Sequence, residues 1–270
     1  MQSIALEMNQ AETAFLIAAT SSAPTASISD ANTVRYLLRW FTPAAEVDLC
    51  GHATLASSHL LFTSQVDRTQ TIEFDTRSGI LTARALPLPA DSAASVDAAS
   101  AATAAFLIEL DFPSDPPAAV TADSDEYKQL LPILTSAFSS TAPAIQSLHR
   151  GKFDYLVTLS SPAHVTQLTP DYNALARITT RGVGVTARSD DSPYTFVSRF
   201  FAPALLINED PVTGSAHCML AEYWGGVLGR DEMVGWQASS RGGEVRVVRG
   251  GGRVKLRGQA VLTMRGQLLV

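Results

Sequence analysis

Glu12 stands at the head of an apolar run, Thr13-Ala-Phe-Leu-Ile-Ala-Ala19. A carboxylate there can be partly buried and can exchange a proton with a neighbouring substrate. Cys50-Gly51-His52 places a thiol, a glycine that permits close backbone approach and an imidazole at the start of a small-residue stretch reaching Phe62. Asp210-Pro-Val-Thr-Gly-Ser215 opens a second such stretch. Thr213 or Ser215 can cap the helix that follows, and Gly214 lets its backbone approach a ligand. A helix N-terminus carries unpaired N–H groups and a partial positive charge, which suits a carboxylate or phosphate. These residue types point to proton transfer on a small anion. Each also has a plain structural alternative: Glu12 as a solvated carboxylate, His52 as a helix cap, Asp210 as a turn former and Ser215 as a first-turn residue.

The two stretches are copies of one plan. Arg39-Trp-Phe-Thr-Pro43 precedes the first and Arg199-Phe-Phe-Ala-Pro203 precedes the second. Gly51-His52-Ala53 then lines up with Gly214-Ser215-Ala216. Two paired blocks in the same order indicate an internal duplication, each half carrying a strand, a loop and a buried helix. The pattern predicts helices over about 51–64, 123–134 and 213–228, and a short capped one over 169–176. Strands are predicted over 13–19, 34–41, 69–74, 79–85, 105–111, 144–149, 153–159, 182–188 and 194–201. Three or four more follow between Met233 and the C-terminus, broken by Gly-rich turns. Met1–Met8 reads as the end of a helix. Residues 20–32 read as a Ser/Ala/Pro-rich loop, 87–105 as a loose insertion and 113–120 as a Pro-rich linker. The small-residue faces of the two main helices would let a sheet curl closely round each.

The blocks Arg39–Pro43, Glu46-Val-Asp-Leu-Cys-Gly-His-Ala-Thr54 and Glu209-Asp-Pro-Val-Thr-Gly-Ser-Ala-His217 resemble the signatures of the PhzF family of phenazine-biosynthesis-like isomerases. So do Met8-Asn-Gln-Ala-Glu-Thr-Ala-Phe15 and Gln237-Ala-Ser-Ser-Arg-Gly-Gly243. The resemblance implies an α+β fold like that of diaminopimelate epimerase. Two similar domains, 1–112 (rejoined by the last few residues) and 113–265, each wrap a curved sheet or open barrel around a central helix. It places the active site in a cleft between them. It implies an isomerase in which Glu12 shuttles a proton between carbons of an unsaturated cyclic acid, His52 donates a proton or hydrogen bond, and Asp210 orients the substrate. Gly51, Cys50, Thr213, Gly214 and Ser215 would bind the substrate. The alternatives are an inactive relative that binds a small acid, and an amino-acid racemase. The racemase needs a thiol at the head of each helix, but Thr213 stands where the second would be. Relatives begin with a strand and a Gly-Asn-Pro loop ahead of the helix in which Met1 falls here, so the first half is expected to lack that strand, with weakened activity or stability.

Length suits two domains of ordinary size. A net charge of −6 argues against nucleic-acid or anionic-membrane partners. Two cysteines, Cys50 and Cys218, give no disulfide framework. No apolar run is long enough to span a bilayer. The chain has no HExxH, CxxC, GxGxxG or Walker A motif, and His52 and His59 are not four apart, so no metal and no cofactor is expected. His59, His149, His164 and His217 are assigned structural or surface roles. The expectation is a cytoplasmic protein acting on a small carboxylate, and the resemblance adds a homodimer.

Overall fold

The computed structural model describes residues 1–19, 32–88, 106–138, 145–189 and 193–268. Most of the loop expected over 20–32, and all but its first two residues of the insertion expected over 87–105, lie outside them. The chain divides into two units, Met1–Asp111 with Arg257–Val270, and Phe112–Leu256. Return to the first unit thus begins at Arg257, earlier than the C-terminal tail where the sequence placed it. The reason is local: Arg257 Nε binds the buried Glu109 carboxylate at 2.8 Å.

In the first unit, helix α1 (Gln2–Met8) ends at Asn9 in a left-handed conformation. Strand β1 (Thr13–Ala18) then pairs antiparallel with β2 (Thr33–Phe41), Thr13 opposite Phe41. The two-residue β3 (Glu46–Val47) folds back on β2. After α2 (Gly51–Ser64), β4 (Thr71–Thr76) runs parallel to β2, and β5 (Gly79–Pro87) and β6 (Phe106–Pro113) continue antiparallel. A strand followed by a parallel neighbour requires a crossover, and α2 supplies it.

The second unit adds β7 (Ala118–Ala119), α3 (Asp125–Ala137), β8 (Ile145–Arg150), β9 (Asp154–Leu159) and the short helices α4 (Pro162–Thr166) and α5 (Tyr172–Leu175). It then repeats the plan of the first. Strand β10 (Gly182–Arg188) pairs antiparallel with β11 (Phe196–Phe201). Helix α6 (Gly214–Leu228) crosses over to β12 (Glu232–Gln237), which runs parallel to β11. Strands β13 (Gly243–Gly250) and β14 (Arg253–Gly258) close the order.

Two boundaries differ from the sequence expectation. The segment 113–120 is not simply a linker: Pro113 ends β6, and β7 pairs with His149 and Arg150. The helix expected over 169–176 shrinks to four residues because Asp171 caps it, accepting from the N–H groups of Asn173 and Ala174. Among the described residues the C-terminal region holds three strands, within the three or four expected.

The two crossover helices are buried in different ways. Along α2, Thr54, Ser57 and Ser58 are buried, and each hydroxyl donates to the carbonyl one turn back. Such bonds satisfy polar side chains inside an apolar environment. Helix α6 is apolar on nearly every side, from Ala216 to Trp224, and Gly229 ends it in a left-handed cap at φ 65°.

Candidate functional site

Two polar clusters form at the helix heads, one in each unit. In the first unit, Cys50 is the N-cap residue of α2 and His52 lies in its first turn. The His52 Nε2 is 3.1 Å from Glu12 Oε2. On the other side of the ring, Nδ1 is 3.8 Å from Cys50 Sγ. Glu12 reaches this position because it closes the turn after α1 and immediately precedes β1, the strand paired with β2. Its Oε2 is buried, yet among the described residues no donor is aligned to form a hydrogen bond with it. The 3.1 Å approach of His52 is therefore an electrostatic contact without hydrogen-bond geometry. Leaving a buried acceptor without a bond costs about 1–3 kcal/mol, and such costs concentrate where a group is held for chemistry.

The Cys50 thiol is buried, and burial pushes its pKa up against the pull of His52. It is a thiol rather than a ready thiolate nucleophile. Glu12, Cys50 and His52 each bring an atom of a kind that binds metals, all within 4.8 Å of one another. The imidazole turns a different nitrogen to each neighbour, so it stands between the thiol and the carboxylate rather than beside them.

In the second unit, Thr213 is the N-cap residue of α6, the place Cys50 holds in α2. The capping expected of Thr213 is not formed: its Oγ1 donates to Asp210 Oδ2 at 2.6 Å instead. Its backbone N–H donates to Gln237 Oε1 at 2.8 Å. Both donors of Thr213 are thus engaged inside the loop. Gln237 completes the brace, donating through Nε2 to the Asp210 carbonyl at 2.7 Å. Ser239 Oγ holds the Pro211 carbonyl at 2.8 Å. A side chain at Gly243 would strike Val212 of the same loop at 2.3 Å. The block Gln237–Gly243 is thus a cradle for residues 210–213.

Ser215 and Gly214 lie buried in the first turn of α6. Arg181 Nη2 donates to Ser215 Oγ at 2.9 Å, and the same nitrogen together with Nε engages the buried Asp154. Burial pushes the Asp154 carboxyl up and Arg181 draws it back. A guanidinium therefore adds its charge to the positive end of the helix. Sequence reasoning missed Arg181, Asp154 and Gln237. Gln237 opened a recognised block, but nothing local marked Arg181, whose partner Ser215 lies 34 residues on.

The other histidines are placed as expected. His59 stacks on Phe106 and His149 packs edge-on against Tyr223. His164 contacts Ser160 Oγ. His217 is fully buried, its Nδ1 donating to the Thr213 carbonyl at 2.8 Å. Cys218 is buried, which pushes its thiol far up. Among the described residues no helix is long and apolar enough to cross a membrane.

Comparison with known proteins draws these features together. The family description "Phenazine biosynthesis-like protein" matches residues 1–266. The chain belongs to this family. An uncharacterized isomerase of Halalkalibacterium halodurans is 40% identical over 273 residues, covering 100% of this chain and 87% of the relative. A putative phenazine biosynthesis PhzC/PhzF protein from Clostridium difficile shares the fold at TM-score 0.75 and 32% identity, covering 100% of this chain and 87% of that one. The wider likeness is to epimerases. A probable proline racemase from Agrobacterium radiobacter matches at TM-score 0.54 and 11% identity, over 91% of this chain and 74% of that one, a likeness of fold alone. The PhzF membership and the mixed α+β, epimerase-like fold agree with the motifs from which both were expected.

Proposed function

We propose that this PhzF-family chain is an isomerase that moves a proton between carbons of a small carboxylate, without a cofactor, and that Glu12 is its base. The observation that carries the reading is the Glu12 carboxylate: Oε2 is buried, bears no aligned hydrogen bond from the described residues and lies 3.1 Å from His52 Nε2. A lone pair kept in that state can accept a substrate C–H proton and return it nearby. His52 steadies the carboxylate and can donate to the anion that forms. Ser215 and Gly214, with Arg181 behind them, provide the charge and N–H groups that a substrate carboxylate needs. Asp210, fixed by Thr213, orients the substrate in this reading.

The test is hydrogen exchange. Small cyclic and acyclic carboxylates are first screened by thermal shift, since a ligand at 100 times its Kd adds about 2.7 kcal/mol to the folded state. Those that raise the melt are then incubated with the protein in D2O and their C–H signals followed by NMR. Exchange lost in Glu12→Gln supports the reading. Tight binding with no exchange would instead make the chain a small-acid-binding relative of the isomerases.

A further inference from the structure

The thiol of Cys50 has no part in the proton transfer as described, and its placement is unusual. It occupies the N-cap position yet makes no capping bond. The sulfur faces one edge of the imidazole whose other edge faces Glu12. A neutral imidazole has one N–H and one bare nitrogen, and which is which depends on the neighbours of each.

We propose that Cys50 is a positioning residue: its S–H donates to His52 Nδ1 and so holds the ring in the tautomer that carries its hydrogen on Nε2, toward Glu12. The 3.8 Å separation is within reach of a sulfur hydrogen bond. Burial keeps the proton on sulfur, which leaves the thiol a donor. The opposite tautomer would set a bare, electron-rich Nε2 beside a carboxylate oxygen 3.1 Å away. The thiol thus makes the ring a donor on the side where the proposed chemistry needs one. In purpose this rests on the proton-transfer reading, but the tautomer itself can be measured without a substrate.

The experiment is a long-range proton–nitrogen correlation spectrum of the full chain labelled with nitrogen-15, with the His52 ring assigned by its loss in His52→Gln. Under conditions where the ring is neutral, Nδ1 is expected at a pyridine-like shift and Nε2 at a pyrrole-like one. Cys50→Ser keeps a donor and is expected to keep that pattern. Cys50→Ala is expected to move the tautomer ratio by roughly fivefold, as the net worth of one hydrogen bond implies. A wild-type ring with its hydrogen on Nδ1, a doubly protonated ring against a thiolate, or a Cys50→Ala spectrum matching wild type would overturn the proposal. Should Cys50→Ala fail to fold, the wild-type spectrum decides alone. The exchange assay separates the two readings. An Nε2–H ring with no exchange from any acid keeps the role of Cys50 and removes the isomerase, and an Nδ1–H ring with exchange intact does the reverse.

Discussion

The two halves of the chain set the same parts to different work. In each, a strand ending Arg-aromatic-Phe leads through a loop to a crossover helix. In each, the arginine grips a glutamate on that loop with two nitrogens: Arg39 on Glu46 at 2.7 and 2.7 Å, Arg199 on Glu209 at 2.6 and 2.8 Å. In each, the guanidinium covers the phenylalanine two residues on, at 5.1 and 5.0 Å. The helix heads then diverge. The first presents titratable groups, Cys50 and His52 beside Glu12, while the second presents hydroxyls, amides and a guanidinium. Duplication preserved the clasp that aims each helix and released the residues at its tip. In the proposed reading, one head moves protons and the other holds charge.

The sharpest test of that division is Glu12→Gln. It keeps the shape of the side chain and removes the base, so C–H exchange should fall about 10³-fold, equivalent to roughly 4 kcal/mol of barrier, with the melt little changed. Ser215→Ala should do the converse. It weakens binding of a small carboxylate in a thermal-shift titration, by about tenfold for one charge-assisted hydrogen bond. If Ser215→Ala left carboxylate affinity untouched, the second head would not be the charge-holding one.

Stability should divide along the same line. The Arg199 clasp is buried, and Arg199 also donates to the carbonyls of Val165 and Leu168. Arg199→Met should cost about 3 kcal/mol in denaturant unfolding, because it strands a carboxylate and two carbonyls in a desolvated place. A loss near zero would show that the clasp is ornamental in both halves.

The histidine in the second helix can be read through pH. His217 is buried against Phe196, and burial lowers its pKa from 6.5 to about 4. The unfolded chain takes its proton near 6.5, so between that pH and 4 the unfolded state binds more protons. The His217 contribution is complete above pH 6.5 and is lost as the pH falls through the window, by roughly 3 kcal/mol in all. His59 and His149, also lowered by burial, act in the same direction. His217→Asn, which can still donate to the Thr213 carbonyl, should flatten part of the acid limb of the stability curve. An unchanged limb would mean that other groups set it.

Much of this was legible in the chain itself, because the duplicated blocks are short and local. Arg39–Pro43 and Arg199–Pro203 marked the strands. Gly51–Ser64 and the stretch from Gly214 to Gly229 carried helix and cap signals within a few residues of one another. What escaped was what depends on distance. The brace from Gln237 to Asp210 spans 27 residues and the Arg181–Ser215 bond 34. No local pattern says that an arginine before a strand will meet a serine at a helix head. The Thr213 cap failed for a related reason. Its hydroxyl had a choice between the helix N–H groups and the Asp210 carboxylate, and the charged acceptor makes the stronger bond.

The smallest effect sharpens the comparison most. Arg39 repeats the grip of Arg199 on a glutamate and its cover of a phenylalanine, but nearly half of its side chain is exposed where that of Arg199 is a tenth exposed. In water the Arg39–Glu46 attraction is screened, and ordering two long side chains offsets what remains. Arg39→Met should therefore leave the melting temperature within the scatter of the wild-type measurement. If it destabilised the chain as much as Arg199→Met, burial would not be what separates the two clasps, and the loop geometry they share would have to carry the energy. Repeating both substitutions in high salt decides between these. Screening should erase any residual Arg39 effect and leave the Arg199 loss in place.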